Sequence, residues 1–179
     1  MGRAAAVITS TAWFVVSAGL GAVLVPWWLT GWRLQHPLPY WYVAEAVGIL
    51  LIVAGLITAV GVFIQFVRAG GTPMPGAMTG RLVVTGFNAY VRNPIYLAAM
   101  TIFLGEALLF GQLSMLLYTV AVRVGTAAFV RWYEEPALVA RFGADYQAYR
   151  RAVPAWRPRL RPWTPENPDT RDTVIGESK

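Results

Sequence analysis

Long uncharged stretches dominate the first part of the chain and predict helices that cross a membrane. Residues 4–29 carry no charge, and residues 40–67 carry only Glu45. Each stretch is longer than the roughly 20 residues that an α-helix needs to cross a bilayer. The pattern therefore predicts two transmembrane helices before residue 68.

A third apolar stretch, residues 95–132, is long enough to cross the membrane twice. Gly105-Glu106 and Gly111-Gln112 interrupt it, and a break near Gly111 leaves segments of roughly 17 and 20 residues, at the short end of spanning length. One uninterrupted helix through Gly111 would be about 55 Å long and is the less favoured alternative. We therefore expect about four transmembrane helices, the last two forming a hairpin.

Glycine and proline interrupt the chain between the second and third stretches. Residues 68–76 are rich in both, which excludes a regular helix and leaves two interpretations, a linker or a mobile gate over a site. Residues 80–87 are mainly apolar but too short to span. We expect them to lie on the membrane surface or to fold back into the protein.

Proline also marks the end of the fourth predicted span. Pro136 is expected to end or kink that span and to begin a further helix, because proline cannot continue a regular helix. An apolar stripe at helical spacing predicts that this helix lies against the membrane or closes over the segment around Asn93. The following tail contains prolines, Trp156, Trp163 and several arginines, so we expect an extended segment at the membrane interface.

Composition and charge agree with an integral membrane protein. Of the 179 residues, 56% are hydrophobic, which is too many for a soluble domain of this size. The net charge is +6, and the charged residues flank the apolar stretches. Contact with anionic lipid headgroups therefore explains the charge more simply than binding to nucleic acid does. Arginines are concentrated in the middle connection and after the last span, which predicts that both termini and the candidate site are cytoplasmic.

The chain lacks most of the side chains on which enzyme sites are commonly built. It has no cysteine and one histidine, His36, in the predicted external connection. Thiolate chemistry, disulfides, iron–sulfur clusters and zinc sites of the Cys/His type are therefore excluded, and we expect no metal site. The reactions that remain are those whose reactive group belongs to a cofactor.

Two polar segments at span ends are candidates for a ligand site. In residues 90–96, Pro94 favours the first helical position with Asn93 as N-cap, and a helix N-terminus suits a carboxylate or phosphate. Glu134-Glu135 precede Pro136 at the other end of the hairpin. The alternatives are a capped membrane helix and ordinary helix-end electrostatics.

Arg123 and Glu106 lie inside predicted spans, where ionisable groups usually face protein or a polar cavity. They form either a structural ion pair or a polar wall of a substrate cavity, and the sequence favours neither interpretation.

The order of these motifs resembles a known family. The motifs are Gly86 followed by residues 90–96, an apolar hairpin, Glu134-Glu135, Phe142-Gly143, Tyr146, residues 149–151 and Val153-Pro154. This set resembles the isoprenylcysteine carboxyl methyltransferase family and its bacterial and phospholipid-methyltransferase relatives. The resemblance covers roughly the last 75 residues before the tail, while the first two spans match only in being spans.

The resemblance implies an all-helical membrane enzyme that binds S-adenosylmethionine at the cytoplasmic interface and takes a lipophilic substrate from the bilayer. Together with the apolar stretches and the composition of the tail, it divides the chain into three parts: residues 1–67 as two spans, 68–154 as the cofactor-binding methyltransferase core, and 155–179 as an interfacial to disordered tail. Glu134 matches the acid that contacts the cofactor, and Glu135 stands beside it. The other implied cofactor-binding residues are Arg81, Leu82, Val83, Asn88, Tyr90, Arg92, Asn93, Pro94, Ile95 and Tyr96.

The chain departs from the family pattern at three positions. It has Asn93 where histidine is common, and Asn88 where a tyrosine contacts the cofactor. It has Val130, with Arg131 next to it, where prenylcysteine enzymes have the arginine that meets the substrate carboxylate.

The leading hypothesis is an S-adenosylmethionine-dependent methyltransferase for a small lipophilic acceptor, with a carboxyl, hydroxyl or similar group. Arg131 and Arg123 are the candidate catalytic residues that orient the acceptor. One alternative is an amine N-methyltransferase for phospholipid headgroups, and another is a non-catalytic membrane module that binds lipid or a partner. The expected partners are lipophilic substrates and membrane lipids without nucleic acid, and the oligomeric state stays open.

Overall fold

The computed structural model describes residues 11–12, 14–68 and 82–164, and within these ranges it is all-helical, as predicted. Residues 69–76 of the connection that was considered as a gate, Arg81, and the tail beyond residue 164 lie outside the described residues. Two π-helical turns, Leu20–Leu24 and Val130–Glu134, and a 3-10 turn, Gly86–Ala89, accompany the α-helices. We number the helices α1 (Phe14–Thr30), α2 (Tyr42–Arg68), α3 (Pro94–Phe110), α4 (Leu113–Phe129) and α5 (Glu135–Ala152).

Two helices in the described ranges are long and apolar enough to cross a membrane. They are α2, with 27 residues, and the continuous helix Leu113–Ala152, with 40 residues that include α4 and α5. Helices α1 and α3 are shorter. The 17 residues of α3 are about 26 Å long, slightly less than the roughly 30 Å hydrocarbon core. The count of four spans therefore stays a prediction.

The outer surfaces of these helices are apolar, as expected for contact with lipid. Leu50 and Ile57 on α2 are 69% and 66% exposed, and Val124 on α4 is 63% exposed. Large aromatic side chains, Trp28, Tyr40 and Trp132, are exposed near the helix ends, where membrane proteins place interfacial aromatics. A surface of this kind is compatible with lipid as the surrounding solvent.

Helices α2 and α3 pack closely through glycines. A Cβ atom added at Gly48 would lie 2.6 Å from the carbonyl oxygen of Gly105, and the reverse distance is also 2.6 Å. A Cβ at Gly55 would lie 2.9 Å from the carbonyl oxygen of Ala98. Small residues let helix backbones approach in a membrane, where there is little hydrophobic force between helices. This contact fixes α3 against α2 and so positions the start of α3.

The turn between α3 and α4 lies at Gly111, as the sequence predicts. Gly111 has a left-handed backbone with φ of 62°, a conformation that glycine adopts without strain. The Gln112 amide donates hydrogen bonds to the carbonyls of Thr30 (3.2 Å) and Arg33 (2.6 Å), and the Gln35 N–H donates to Phe110 O (2.9 Å). These bonds tie the hairpin to the connection after α1.

Pro136 was expected to end or to kink the fourth span, and the first of these expectations is wrong, because the helix continues through residue 136. The π-helical turn Val130–Glu134 precedes the proline, and the Glu135 N–H donates to Val130 O. Proline lacks an N–H and its ring crowds the preceding turn, and the wider π-turn accommodates both effects. The backbone leaves helical geometry instead at Gly143, where φ is 52° and ψ is −122°.

Candidate functional site

Pro94 begins α3 and Asn93 occupies its N-cap position, as predicted. The predicted capping by the Asn93 side chain is not observed. Its amide donates instead to the carbonyl of Ala155 at 3.1 Å, because the chain after α5 returns to this point. The start of α3 therefore keeps N–H groups without an intrahelical partner, and its cap residue holds the C-terminal part of the chain.

Residues 153–164, which we call the C-terminal strap, run along the segment before α3. The Arg92 N–H donates to Pro154 O (3.0 Å), the Arg159 N–H to Tyr90 O (2.9 Å) and the Trp163 N–H to Ala89 O (2.9 Å). The strap is non-helical, as expected for its prolines. Its tryptophans pack on protein, and their expected place at the membrane interface stays a prediction. Trp156 lies 6.4 Å from Tyr96 and Trp163 lies 5.5 Å from Tyr149, centroid to centroid.

Arg92, Glu135, Tyr146 and Arg150 form a group that we call the ion cluster. Arg92 Nη1 lies 2.6 Å from Glu135 Oε1 and donates to the Tyr146 hydroxyl at 3.0 Å, while its Nε donates to the Val153 carbonyl at 2.9 Å. Arg150 Nη2 lies 3.2 Å from the other Glu135 oxygen. The side chains of Arg92 and Glu135 are 10% and 8% exposed. The cluster joins the start of α3 to α5 and the strap.

Tyrosines of α5 connect this cluster to the 3-10 turn. Burial raises the pKa of Tyr146, although the Arg92 guanidinium opposes the shift. Burial also raises the pKa of Tyr149, whose hydroxyl donates to the carbonyl of Asn88 at 2.7 Å. Both phenols are therefore neutral at physiological pH. The Tyr146 hydroxyl accepts from Arg92 and the Tyr149 hydroxyl donates to Asn88 O, and these two bonds hold α5 against the segment before α3.

Tyr96, Arg123, Glu134 and Trp156 form a second group, which we call the aromatic cluster. The Tyr96 hydroxyl donates to Glu134 Oε2 at 3.0 Å across 38 residues of sequence. The Arg123 guanidinium carbon lies 4.1 Å from the centroid of the Trp156 ring. Burial raises the pKa of Glu134; the hydrogen bond from Tyr96 opposes this shift and the neighbouring Glu135 adds to it. The cluster combines a carboxylate, aromatic faces and a guanidinium near the start of α3.

The remaining predicted residues differ in exposure. The Asn88 side chain is buried and bonded to Gln65 (3.2 Å) and the Arg92 carbonyl (3.4 Å). Tyr90 is 38% exposed, and the Arg131 side chain is 67% exposed, with Nη1 3.9 Å from Glu135 Oε2. Leu82, Val83 and Ile95 are half-buried, and Leu82 packs on the cluster of Tyr146, Tyr149 and Val153.

Glu106 and Arg123 do not form an ion pair among the described residues. Glu106 is buried and its Oε2 has no hydrogen-bond partner there, whereas Arg123 lies over Trp156. The ion-pair interpretation of these two residues is therefore wrong. Their positions on α3 and α4 separate the carboxylate from the guanidinium.

The contacts of three residues that organise the site were not predicted. Gln65 near the end of α2 donates to Thr85 O at 2.5 Å and accepts from the Phe87 N–H at 3.0 Å. Its signal was an amide in an otherwise apolar span, where polar side chains bond to other segments. Trp156 was predicted as an interfacial residue, and Tyr146 was named among the residues that carry the resemblance, but their contacts with Arg123 and Arg92 were not predicted.

One comparison with known proteins identifies a family. A sequence model of phospholipid methyltransferases matches residues 43–145. No curated protein and no solved structure matches the chain at a significant level. The matched segment includes residues 90–96 and Glu134-Glu135, and it ends before the strap. Because the match covers more than half of the chain and the helices are apolar, this protein is a membrane methyltransferase that belongs to the phospholipid methyltransferase family.

Proposed function

We propose that this protein transfers a methyl group from S-adenosylmethionine to a small lipophilic acceptor that enters from the bilayer. The observation that carries the proposal is the contact between Tyr96 and Glu134, which joins two polar segments of an otherwise apolar chain. A membrane protein of this composition places such groups at ligand sites more often than on its lipid-facing surface. The family match supports the reaction type.

The residues of the aromatic cluster fit the chemistry of this cofactor. S-adenosylmethionine has a sulfonium and an ammonium, which suit a carboxylate and aromatic faces, and a carboxylate, which suits a helix N-terminus. Among the described residues, Tyr96 is the hydrogen-bond partner of Glu134, so the carboxylate keeps further acceptor capacity. We propose that Glu134, Tyr90, Tyr96 and the N-terminus of α3 hold the cofactor.

We propose that the remaining predicted residues line or support this site. The Leu82, Val83 and Ile95 side chains are half-buried beside it, and Asn93 and Pro94 set the start of α3. The Asn88 amide donates to the Arg92 carbonyl, and the Arg92 guanidinium donates to Glu135. We therefore propose that these three residues support the structure of the site. Arg81 lies outside the described residues and stays a prediction.

Bound S-adenosylmethionine supplies a methyl group that is already activated by its positive sulfur. The protein therefore has to align the acceptor with that methyl group and exclude water. The half-buried aromatic cluster is suited to both tasks, and neither task needs a histidine or a cysteine. Arg123 and Arg131 are the proposed acceptor-orienting residues.

A phospholipid-headgroup amine is the second candidate acceptor, and the family match favours it. A headgroup also carries a phosphate, to which an arginine can bind. The non-catalytic module remains the alternative from another class, and it predicts no cofactor binding. We further propose that the arginine-rich end of the helices, with the site and both termini, faces the cytoplasm, where arginines flanking spans are retained.

The test is calorimetric binding of S-adenosylmethionine to the purified protein in nanodiscs, comparing wild type with Glu134→Gln. Glu45→Gln is the matched control, because Glu45 lies 2.8 Å from His36 at the opposite end of the helices. We expect binding in the micromolar range that Glu134→Gln weakens and Glu45→Gln preserves. Absence of binding to folded wild-type protein would overturn the proposed function and support the non-catalytic module.

A second assay identifies the acceptor class. The protein is incubated with S-adenosylmethionine carrying a labelled methyl group and with nanodiscs that contain phosphatidylethanolamine, a fatty acid or a fatty alcohol. Label in the phospholipid would support the headgroup amine, and label in a fatty ester or ether would support the carboxyl or hydroxyl acceptor.

A further inference from the structure

The C-terminal strap is attached to the protein on both sides of Trp156. Before it, the carbonyls of Val153, Pro154 and Ala155 accept hydrogen bonds from Arg92 and Asn93. After it, the Arg159 N–H donates to Tyr90 O at 2.9 Å. These bonds fix the backbone on both sides of Trp156 and so limit where its ring can lie.

The Trp156 ring lies between two helices. Its centroid is 4.1 Å from the guanidinium carbon of Arg123 on α4 and 6.4 Å from the ring of Tyr96 on α3. Tyr96 in turn donates to Glu134. Trp156 therefore connects the arginine of a predicted span with the carboxylate that we propose for the cofactor.

An arginine that lies against an aromatic ring is held in place by the ring, and its guanidinium can still donate hydrogen bonds to a ligand. The attraction acts on the face of the guanidinium, and the N–H donors lie in its plane. Those donors match the two oxygens of a carboxylate or a phosphate. Arg123 is also half-buried in an apolar helix, where an arginine is costly unless it faces a polar group or cavity.

We propose that Trp156 is a positioning residue that holds Arg123 beside Tyr96, and that Arg123 binds an oxyanion, carboxylate or phosphate, of the lipophilic acceptor. This inference rests on the proposed function and adds the chemical class of the acceptor. It favours Arg123 over Arg131, whose side chain is 67% exposed next to Glu135. Trp156 lies beyond the matched family segment, residues 43–145.

The test uses three probes with the same number of carbon atoms: dodecanoate, dodecyl phosphate and dodecanol. Their binding to the protein in neutral nanodiscs is measured with and without S-adenosylmethionine. We expect wild type to bind at least one anionic probe about ten- to a hundredfold more tightly than dodecanol, as a hydrogen-bonded charge allows. The preferred anionic probe distinguishes a carboxylate from a phosphate acceptor.

Variants then separate positioning from general structure. Arg123→Gln and Trp156→Leu should each reduce the preference for the anionic probe to about twofold, and the double variant should lose no more than either single variant, since both act through one contact. Trp156→Phe, which keeps an aromatic face, should retain most of the preference. Thermal unfolding of each variant confirms that it is folded.

Two control variants test the alternatives. Trp163→Leu removes a strap tryptophan that contacts Tyr149 rather than Arg123, and Arg157→Gln removes one charge from the exposed side of the strap. Both should keep the wild-type preference. Equal preference in Trp156→Leu and wild type, or equal loss in Arg157→Gln, would overturn the inference.

The two failures are distinguishable in these measurements. If wild-type protein does not bind the cofactor, the proposed function is contradicted. If it binds the cofactor but shows no preference between anionic and neutral probes, only the role of Arg123 and Trp156 is contradicted.

Discussion

Two adjacent glutamates, at the end of the π-helical turn Val130–Glu134 and the start of α5, have opposite surroundings. In the ion cluster, Glu135 is nearly buried, and its carboxylate oxygens lie within 2.6 Å of Arg92 and 3.2 Å of Arg150. In the aromatic cluster, Glu134 is half-buried and bonded to Tyr96. A carboxylate saturated by arginines stabilises structure, whereas one with a single neutral donor keeps capacity for a ligand. Position along a helix, rather than residue type, therefore separates the two roles.

The comparison also explains why the two clusters lie together. The ion cluster joins the start of α3, the helix α5 and the strap. These segments also position the aromatic cluster, because Tyr96 lies on α3, Glu134 directly precedes α5, and Trp156 lies on the strap. A site built from distant segments needs rigid support, because small misplacements of reacting groups are costly in rate. We expect changes in the ion cluster to affect folding first and changes in the aromatic cluster to affect binding first.

The largest expected effect is on stability. Replacing Arg92 by Gln leaves the Glu135 carboxylate buried with less compensation, and breaking one partner of a buried pair typically costs about 3–5 kcal/mol. We expect a clearly lower unfolding temperature and faster proteolysis at the strap arginines. Arg131→Gln is the control, because its guanidinium is exposed and 3.9 Å from the carboxylate. Similar losses in both variants would contradict the assignment of Arg92 to the support.

Glu134→Ala should show the reverse behaviour. Its carboxylate is proposed to bind a positive group of the cofactor, and a hydrogen bond to a charged group contributes about 1.5–3 kcal/mol. Affinity for S-adenosylmethionine should therefore fall by about ten- to a hundredfold, as measured by calorimetry. The unfolding temperature should change little. A large loss of stability with unchanged affinity would mean that Glu134 supports the structure and does not bind the cofactor.

The pH dependence sharpens the contrast at Glu134. Burial raises its pKa above the ordinary value of 4.5, so the folded cofactor-free protein binds the proton more tightly than the unfolded chain. This contribution to stability is present below that ordinary value and is lost as the pH rises through the raised pKa. Cofactor affinity should increase over the same window, because the carboxylate forms there. Calorimetry and thermal unfolding at several pH values should show neither trend in Glu134→Gln.

Tyr96→Phe should have the smallest effect. The ring that faces Trp156 stays, and the lost hydroxyl removes one hydrogen bond to Glu134. We expect cofactor affinity to fall by a few-fold, since such a bond contributes about 1 kcal/mol. Tyr133→Phe is the matched control, because that residue is 56% exposed. An effect of Tyr96→Phe as large as that of Glu134→Ala would mean that the hydroxyl itself binds the ligand.

Much of the helical fold could be predicted because its signals are local. Uncharged stretches predicted α1 and α2, Gly111 predicted the turn before α4, and Pro94 predicted the first residue of α3. Each of these features depends on a few neighbouring residues and on the length of an apolar run. The error at Pro136 has a local cause as well, since a π-turn absorbs the proline without ending the helix.

For the site, the sequence predicted which polar segments take part but not the contacts between them. The sequence places Tyr96 and Glu134 at two span ends, but it contains no signal for which glutamate meets Tyr96 and which meets Arg92. That choice depends on the rotation of α4 through the π-turn Val130–Glu134 and on the packing of α5. A change of one residue in register would exchange the two carboxylates.

The amino-acid sequence is sufficient for an all-helical membrane protein with polar segments at its helix ends, because the lengths of apolar runs and the places of glycine and proline act locally. The partners of those polar segments depend on the packed structure. Trp156 lies over Arg123, and Asn93 holds Ala155, because the strap returns to the start of α3 after a turn of the chain that no local pattern encodes. Contacts between residues far apart in sequence depend on the relative positions of whole helices, which are decided by packing.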